Sequence, residues 1–426
     1  MKERQNKINR RNFLKTVGAA GLTPAFAGAT KALASVKDIA RSSEANTETK
    51  EQKAELPQVP RRKLGKTGID VPSLSFGTLR VDTDNQILLR NTIQWGINYW
   101  DTAYSYSNGN AELGIGKFLS KNPDVRKKLF LVTKASGASN EPTPKSVVAA
   151  VEDRLQTSLK RMNTKHIDLY YGVHGMQDPA DLTDELKQWA QEAKKRGLIR
   201  FFGFTTHSNM ASCLAAAAKL DWIDAIMTSY SFRLMQDKEL NAAIEACHKA
   251  GIGLIAMKTL GRGQKIESKE DKKLVSHFME RGFTEGQAKI KAVLEDKRFS
   301  SACVGLSNVA ILTENVAASL DKTKLTKADM KVFEQYANAT CSGYCAGCTH
   351  ICNSALPDAP YVSDIMRYLM YYNSYGEKKM ARELYAEIPS IERNKLLSIN
   401  YSLAEARCPQ HLPIGKLIAE AVSKLA

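Results

Sequence analysis

Between Arg61 and Leu320 the sequence repeats one pattern, in which an apolar run of strand length is followed by an amphipathic stretch of helical length. The apolar runs end at Gly or polar residues, as strands do at the edge of a sheet. The eight candidate strands are Val71–Phe76, Ile97–Trp100, Phe130–Thr133, Ile167–Gly172, Ile199–Phe204, Ala225–Ser229, Gly253–Met257 and Ala302–Gly305. Eight β-α units in one segment predict an α/β fold, a parallel (β/α)8 barrel. A doubly wound open sheet is the alternative, but no Gly-x-Gly-x-x-Gly motif follows the first strand.

The intervening helices carry recognisable start and stop signals. Pro144–Met162 has a proline near its start, Thr183–Arg196 ends before Gly197, and Asp237–Lys249 is followed by a glycine cap signal. Gly263–Phe283 is an additional polar, Lys-rich segment after the seventh strand. Loops at that end of a barrel carry function, so we expect this segment to lie near a site.

The charge of the chain does not indicate a nucleic-acid partner. The formal net charge is +16, but residues 1–34 carry seven Lys/Arg and one acidic residue, so six of these positive charges belong to the amino terminus. The remaining lysines mostly alternate with Asp and Glu on helical stretches such as Asp184–Arg196. This alternation is typical of solvated helix faces, and we expect no nucleic-acid binding.

The amino terminus has the features of an export signal. Asn9-Arg10-Arg11-Asn12-Phe13-Leu14-Lys15 resembles the twin-arginine motif, and a small-residue apolar run with a cleavage site, Ala32-Leu33-Ala34, follows it. The run is too short and too weakly apolar to span a membrane, so we do not expect an integral membrane protein. We predict a signal peptide over residues 1–34, a polar linker over 35–60, and a periplasmic or otherwise exported protein that uses the twin-arginine export machinery.

Ionisable residues follow three neighbouring strands of the predicted barrel. Asp101 and Tyr106 follow the second strand, Lys134 the third and His174 the fourth. The carboxyl ends of parallel barrel strands converge on one mouth, so these four side chains should meet there. Together they have the chemistry needed to deliver a proton to a carbonyl oxygen.

These positions lie within motifs that resemble the aldo-keto reductases. The motifs occur in the same order as in that family: Arg62-Lys-Leu-Gly-Lys-Thr-Gly68, Ser75-Phe-Gly-Thr78, Trp100-Asp-Thr-Ala-Tyr-Ser-Tyr106, Glu112-Leu-Gly, Val132-Thr-Lys134, Asp168-Leu-Tyr-Tyr-Gly-Val-His174 and Gly197-Leu-Ile-Arg-Phe-Phe-Gly-Phe-Thr205. The resemblance covers about residues 61–320. It implies a (β/α)8 barrel that binds NADP or NAD in extended form, and it matches all four catalytic positions.

The four positions then have physically distinct roles. Tyr106 would donate the proton, and a cationic Lys134 would lower the high pKa of its phenol. Asp101 would keep Lys134 charged and in place. His174, neutral or charged, would donate a hydrogen bond to the carbonyl and orient it.

The resemblance implies cofactor contacts that are less completely matched. Thr205 and Thr206 occupy the positions at which the family binds the carboxamide with Ser-Asn, and Lys258 could contact the pyrophosphate. The aromatic residue that often stacks on the nicotinamide is missing after strand seven, and Ile311 replaces the basic residue that often pairs with a 2′-phosphate. The full predicted set is Gly77, Thr78, Asp101, Thr205, Thr206, Met257, Lys258, Thr259, Leu260, Gly261, Gly305, Ser307, Asn308 and Asn315.

Five of the eight cysteines lie near the carboxyl end, within the segment that we predict to be a helical extension (residues 323–426) after the barrel (61–322). Cys341, Cys345, Cys348 and Cys352 are closely spaced, and Cys408 precedes a proline. This arrangement resembles a ferredoxin-type motif with one [4Fe–4S] cluster, of a kind found on a subgroup of aldo-keto reductases.

The ligand set and the chemistry of these thiols remain open. We favour Cys345, Cys348, Cys352 and Cys408 as ligands, and the alternative set replaces Cys352 by Cys341. A zinc site or disulfides would use similar residues. Cys213, Cys247 and Cys303 lie inside predicted helices or strands and are expected in the core. The stretch Val362–Glu387, rich in Met and Tyr, is expected to pack the extension onto the barrel.

The sequence thus predicts an exported aldo-keto reductase-like enzyme that interconverts a carbonyl and an alcohol of a small molecule, for example a sugar-derived aldehyde, with NAD(P). The alternatives are a non-catalytic binding or assembly protein and an electron-transfer module on the same barrel. Export poses a difficulty, because free NAD(P)H is not expected outside the cytoplasm.

Overall fold

Eight parallel strands close into a barrel, which confirms the predicted fold class. The computed structural model describes residues 56–84, 86–261, 269–341, 344–408 and 410–426. The predicted signal peptide and the linker as far as residue 55 lie outside these ranges. The barrel strands, each pairing with the next around the ring, are β3 (Leu74–Gly77), β4 (Tyr99–Asp101), β5 (Phe130–Lys134), β6 (Ile167–His174), β7 (Ile199–Thr206), β8 (Ala225–Ser229), β9 (Gly253–Met257) and β10 (Ser301–Gly305).

The first predicted strand is divided in two. Arg61–Lys63 (β1) and Asp70–Pro72 (β2) form an antiparallel hairpin, and the barrel begins only at Leu74. The prediction of one strand over Val71–Phe76 was therefore wrong in its first half. The two apolar runs are separated only by Ser73, which is itself buried, so the sequence carries no polar break between them.

Helices surround the barrel, and the predicted ones agree with the structure to within two residues. The helices up to the end of the barrel are α1 (Ile87–Gln94), α2 (Asn110–Lys121), α3 (Pro123–Lys128), α4 (Pro144–Arg161), α5 (Asp184–Lys195), α6 (Met210–Ala217), α7 (Lys238–Lys249), α8 (Lys269–Glu280), α9 (Glu285–Glu295) and α10 (Val309–Leu320). Side chains cap the amino termini of several helices. The Thr143 side chain accepts a hydrogen bond from the Ser146 amide, and the Asp237 side chain accepts one from the Leu240 amide. Such caps satisfy amides that have no partner inside the helix.

Apolar side chains from several barrel strands form the buried core. Tyr99, Val132, Leu169, Met227 and Ile255 belong to one buried cluster, so the interior is a packed core. Close strand approach depends on Gly203, where a β-carbon would lie 1.8 Å from the carbonyl oxygen of Ala225. The sheet therefore has no room for a side chain there.

The described part of the additional segment after β9 is a helix, α8, with an apolar face. Leu274 and Phe278 are buried against Phe333 of α11 (Lys327–Ala339). The sequence predicted a polar segment near the site. The prediction missed the apolar face of α8, which packs against α11. Residues 262–268 of this segment lie outside the described ranges.

The carboxyl-terminal extension is helical, as predicted. After α11 its elements are α12 (Thr349–Ala355), α13 (Val362–Met370), a π-helical turn (Tyr371–Tyr375), α14 (Lys378–Ala386), α15 (Ser390–Asn394), α16 (Ser402–Arg407) and α17 (Ile414–Leu425). The stretch Val362–Glu387 is thus not one helix, because the π-helical turn and Gly376, with a φ of 72°, divide it. Within the described ranges, every helix is too short or too polar to cross a lipid bilayer.

Candidate active site at the barrel mouth

Three neighbouring strands bring the predicted catalytic residues to the same end of the barrel. Asp101, Lys134 and His174 are the last residues of β4, β5 and β6. Tyr106 begins a short 3-10 turn, Tyr106–Gly109, in the loop after β4. The strand register pairs Asp101 with Val132 and Lys134 with Tyr171, so each polar group emerges where the apolar core ends.

Lys134 connects the other residues of the site. Its ammonium group forms a short ion pair with Asp101 and donates to the Thr102 carbonyl at 2.7 Å and to the Tyr106 hydroxyl at 3.3 Å. Burial alone would lower the pKa of Lys134, but the neighbouring Asp101 carboxylate raises it above its ordinary value. Lys134 is therefore charged at neutral pH although it is almost fully buried.

The Tyr106 phenol is a weaker acid than the sequence predicted. Burial raises its pKa, and the charge of Lys134 only partly offsets this effect. Lys134 does lower the pKa of Tyr106, as predicted. The prediction that the pKa of Tyr106 is lowered overall was wrong, because the net shift is upward. The reason is that burial outweighs the effect of Lys134, and the Asp101 carboxylate raises the pKa of Tyr106 further because it repels a phenolate.

His174 is neutral in this environment. Burial and the nearby positive charges of Lys134 and Lys258 lower its pKa to about 3. Its Nδ1 lies 2.8 Å from the hydroxyl of Ser136, and its ring lies edge-on to that of Tyr106 with 6.3 Å between centroids. When Ser136 donates to Nδ1, the proton of the neutral ring is on Nε2, which can then donate to a carbonyl oxygen. Sequence reasoning did not identify Ser136, because its partner is on the next strand.

The first group of predicted cofactor residues lies beside the catalytic strands. Gly77 ends β3 opposite Asp101, and the Thr78 hydroxyl donates to the Asp101 carbonyl at 3.0 Å. The Thr205 hydroxyl accepts from the amide of Gly175 at 2.9 Å, which leaves its own proton available. In contrast, the Thr206 hydroxyl lies 2.8 Å from the Met176 carbonyl oxygen and 2.7 Å from that of Ser208, so its proton is used within the protein.

The second group follows β9 and β10, at the same end of the barrel. At the end of β9 and in the loop after it, Met257 and Leu260 are partly exposed and Thr259 is buried. Gly261 has a left-handed conformation with a φ of 50°, and its carbonyl accepts a hydrogen bond from Arg233. After β10 the three predicted residues Gly305, Ser307 and Asn308 are exposed. Asn308 caps α10 through the amide of Ile311, and Asn315 is buried in that helix.

One observation at the mouth fits a dinucleotide. Oδ1 of Asp101 binds Lys134, whereas Oδ2 is buried and has no hydrogen-bond partner among the described residues. A buried carboxylate oxygen without a partner is unfavourable. It therefore remains available to accept a hydrogen bond from a bound hydroxyl, such as that of a ribose.

The extension lies against the loops of the barrel mouth. Arg367 of α13 donates to the carbonyl of His207, which follows β7, at 2.9 Å, and Asp364 accepts from Gln177 at 3.2 Å. Lys258, which follows β9, donates to the Tyr371 hydroxyl at 2.6 Å. The sequence predicted that Lys258 contacts the pyrophosphate. In the structure, its ammonium group lies against Tyr371 of the extension. Sequence reasoning did not identify Arg367 and Tyr371 as neighbours of the site.

Four of the five cysteines in the extension lie near enough to influence one another electrostatically. Cys348 caps α12, which contains Cys352, and Cys408 ends α16. Burial and the neighbouring thiols raise the pKa of both Cys348 and Cys352 to about 12, and in each case the neighbours include Cys345 and Cys408. The choice between Cys352 and Cys341 as the fourth ligand stays a prediction.

The remaining cysteines have other neighbours. Cys341 lies near Arg233, and Cys213 and Cys247 are buried in α6 and α7. Cys303 lies on β10 and is partly exposed. All eight cysteines are free thiols. In the part of the chain that the structure describes, no three His, Cys, Asp or Glu side chains converge closely enough to hold a single metal ion.

The cysteine loop is seated directly on the loop after β7. The Asn209 amide donates to the carbonyl of Gly347 at 2.9 Å. Gly347 has a φ of 75°, and a β-carbon at this position would lie 2.4 Å from the His207 carbonyl oxygen. Only glycine allows the two backbones to come this close.

Comparison with known families identifies the class of protein that the barrel and its four mouth residues define. The model of the aldo/keto reductase family matches residues 74–338, which is more than half of the chain. The chain therefore belongs to the aldo/keto reductase family, as its motifs predicted.

Individual relatives are distant. The aldo-keto reductase yakc (NADP(+)) of Schizosaccharomyces pombe is 28% identical over 218 residues, which is 48% of this chain and 62% of yakc. The uncharacterized oxidoreductase YqkF of Bacillus subtilis is 24% identical over 304 residues, or 65% of this chain and 96% of YqkF. The chain spans 62% of the length of yakc and 65% of the length of two fungal relatives, aldo-keto reductase AFTS1 of Alternaria alternata and aldo-keto reductase NECHADRAFT_45914 of Fusarium vanettenii, so it covers less than two thirds of each of these curated relatives.

Solved structures show the same fold. The holo form of aldo-keto reductase AKR11C1 from Bacillus halodurans superposes with a TM-score of 0.52 at 24% sequence identity. The superposition covers 66% of this chain and 96% of AKR11C1. This likeness concerns the barrel fold alone.

Proposed function

We propose that this protein is an exported, NAD(P)-dependent oxidoreductase that interconverts a carbonyl and an alcohol of a small molecule, for example a sugar-derived aldehyde. The observation that carries the proposal is the position of Lys134, whose ammonium group contacts both Asp101 and the Tyr106 hydroxyl. His174 faces Tyr106 across the same mouth. Membership of the aldo/keto reductase family supports the reaction class.

In the reduction direction, the bound nicotinamide supplies a hydride to the carbonyl carbon. Negative charge develops on the carbonyl oxygen, and Tyr106 donates its proton there. The resulting phenolate is stabilised by Lys134 at 3.3 Å. Neutral His174 donates a hydrogen bond from Nε2 and holds the oxygen in place. The products are an alcohol and a phenolate that recovers its proton from solvent.

The chain offers partial support for the dinucleotide contacts. Asp101 Oδ2 and the Thr205 hydroxyl have hydrogen-bonding capacity available, whereas the Thr206 proton is used within the protein. The name of yakc includes NADP(+). In this chain Ile311 stands where a basic residue often binds the 2′-phosphate, so either NADP or NAD is compatible with the proposal.

We further propose that Cys345, Cys348, Cys352 and Cys408 hold one [4Fe–4S] cluster. In such a cluster each thiolate binds its own iron atom, so the thiolates lie further apart than the ligands of one zinc ion. The ferredoxin-like spacing of the cysteines supports the proposal, and so does the mutual influence of Cys345, Cys348, Cys352 and Cys408 on their pKa values. When bound, the cluster supplies one-electron chemistry or cross-links the extension.

The proposal of export rests on the twin-arginine motif and the cleavage site in the sequence. Both lie outside the described residues. The pathway carries folded proteins, so both cofactors would be installed in the cytoplasm before export. A tightly retained dinucleotide would resolve the lack of free NAD(P)H outside the cytoplasm.

The first test is purification of the full chain without oxygen, followed by assays of iron, sulfide and released nucleotide. We expect about four irons per chain and bound NAD(P). Cys345→Ser should abolish iron binding, whereas the matched variant Cys341→Ser should retain it. Loss of iron in Cys341→Ser with retention in Cys352→Ser would instead support the alternative ligand set.

Turnover is tested on the same preparation with a panel of aldehydes and NADPH or NADH. Loss of activity in Tyr106→Phe would support the enzyme. Equal ligand binding by both forms, with no turnover by either, would support a non-catalytic binding or assembly protein, which the internal bonding of Thr206 favours. A redox signal that disappears in Cys345→Ser but survives in Tyr106→Phe would support an electron-transfer module.

A further inference from the structure

Lys258 occupies an unusual position at the barrel mouth. It is a non-glycine residue with a φ of 56°, in the left-handed region that side chains other than Asn, Asp or Gly rarely adopt. Its ammonium group lies 2.6 Å from the Tyr371 hydroxyl and 3.9 Å from the centre of the Tyr371 ring. Lys258 forms no ion pair with any described carboxylate. A phenol and an aromatic face thus hold a cation for which the described protein provides no anion.

A second cation lies close to Lys258. Arg367 is 3% exposed. Burial, and then the positive charge of Arg367, lower the pKa of Lys258 well below its ordinary value, so an anion bound beside this amine would stabilise its charged form. The Arg367 guanidinium pairs with Asp364 at 3.2 Å, but Asp364 also binds Gln177. Nε of Arg367 is buried and has no partner in the described residues. Asp364 is thus shared between Arg367 and Gln177, the Cys345 thiol lies near Arg367, and Lys258 has no carboxylate partner among the described residues.

This excess of positive charge adjoins the reacting groups. The charge of Lys258 contributes to the lowered pKa of His174, after burial and Lys134. Tyr371 in turn is close enough to Tyr106 for the two phenols to influence each other. Tyr106, His174 and Lys258 are all partly exposed, so a ligand at the mouth can reach them.

We propose that Lys258, Tyr371 and Arg367 form a subsite for an oxyanion, and that the preferred substrate is a carbonyl compound bearing a carboxylate. This inference rests on the proposed function and names its substrate class. The pyrophosphate of the dinucleotide offers the same chemistry. However, Arg367 and Tyr371 lie beyond residue 338, where the match to the family ends, whereas the dinucleotide is common to the family. Residues outside the part of the chain that matches the family are better explained by a substrate than by the dinucleotide that the family shares.

The test uses two pairs of aldehydes, and each pair consists of a carboxylate and its uncharged methyl ester. The first pair is 4-carboxybenzaldehyde and methyl 4-formylbenzoate, and the second is succinic semialdehyde and its methyl ester. For the full-length holoenzyme we expect the acid to be preferred in kcat/KM by about tenfold or more, because hydrogen bonds to a charged group are strong. Tyr371→Phe should reduce this ratio several-fold, mainly through KM, and Lys258→Gln should bring it near one.

The control is Lys379→Gln, which removes the same charge from a side chain of the extension that is 82% exposed. It should leave the ratio unchanged, and thermal melting should show that all variants are folded. An unchanged ratio in Lys258→Gln and Tyr371→Phe would overturn the inference. So would a loss of NADPH affinity in Lys258→Gln, measured by fluorescence titration, without a change in the ratio, since that result would assign the cation to the pyrophosphate.

Failure of the proposed function gives a different result. If the wild-type protein reduces no aldehyde, the subsite is tested by calorimetric titration with terephthalate, a dicarboxylate that undergoes no reaction. Binding that is lost in Lys258→Gln and Tyr371→Phe but kept in Lys379→Gln would support the subsite alone. Equal binding by all forms would overturn it.

Discussion

Two buried carboxylates on nearby strands have opposite surroundings. Asp168, near the amino end of β6, accepts from the Leu131 amide at 2.9 Å, from Arg200 at 2.6 Å and pairs with Arg126 at 3.0 Å, so both of its oxygens are used. Asp101, at the carboxyl end of β4, uses one oxygen for Lys134 and leaves the other without a described partner. Both side chains are at most 2% exposed.

The difference distinguishes a structural carboxylate from one in a reactive site. A fully satisfied buried network stabilises the fold, whereas a partly satisfied one retains capacity for a ligand. The two ends of one barrel thus use the same residue type for different purposes.

Tyr106→Phe should have the largest effect, and only at the mouth. Removing the proton donor should lower kcat/KM for aldehyde reduction by about 10²- to 10⁴-fold, because general acid catalysis contributes that much. Among the described residues, the Tyr106 hydroxyl has a hydrogen bond from Lys134 alone, so the unfolding free energy should change little. Steady-state kinetics and urea unfolding on the same preparation check both parts. Retention of activity would remove Tyr106 from the mechanism.

Asp168→Asn should act in the opposite way. Arg126 and Arg200 cannot lose their protons, so the substitution leaves two guanidinium charges without their anion. We expect a loss of about 3–5 kcal/mol in unfolding free energy. The kcat/KM of the folded protein should remain unchanged, because Asp168 is at the other end of the barrel. A large fall in kcat/KM at full folding would contradict the structural role.

Asp101→Asn is the matched substitution at the mouth. Lys134 would lose the carboxylate that raises its pKa, and unlike an arginine it can respond by releasing a proton. We therefore expect a smaller loss of stability than for Asp168→Asn, together with a fall in kcat/KM of about 10²-fold. Equal losses of stability for the two variants would erase the distinction between the carboxylates.

Ser136→Ala should have a smaller, specific effect. Without the hydroxyl 2.8 Å from Nδ1, His174 has no described partner that fixes its tautomer. We expect kcat/KM to fall by about tenfold, the cost of one hydrogen bond, and Ser136→Thr to restore part of it. Nitrogen-15 NMR of labelled histidine should show a mixture of tautomers in Ser136→Ala. A single tautomer with Nε2 protonated would exclude the positioning role.

The pH profile should show no effect from His174 near neutrality. Its pKa is lowered to about 3, so it stays uncharged as the pH falls from about 8 to 5, the range in which an ordinary histidine gains a proton. The kcat/KM profile should therefore lack an inflection near pH 6.5 that belongs to this residue. An inflection there that disappears in His174→Gln would show that the mouth is more hydrated than its burial indicates.

The sequence by itself determined the barrel and its four mouth residues. Apolar runs with period and length typical of buried parallel strands recur eight times, and polar residues at their ends must face one mouth because parallel strands share a direction. For the same reason, the order of the predicted strands was enough to place Asp101, Lys134 and His174 on adjacent strands. The grouping of Cys345, Cys348 and Cys352 also followed from their local spacing.

The pKa values of the site residues and the contacts of the extension with the barrel mouth could be obtained only from the tertiary structure. The raised pKa of Tyr106 reflects a balance between burial and two opposite charges, which sequence order does not contain. The contacts Ser136–His174, Lys258–Tyr371 and Arg367–His207 join residues on different strands and helices. Such contacts depend on how the extension packs against the barrel, and packing is set by the three-dimensional fit of many side chains rather than by any local pattern.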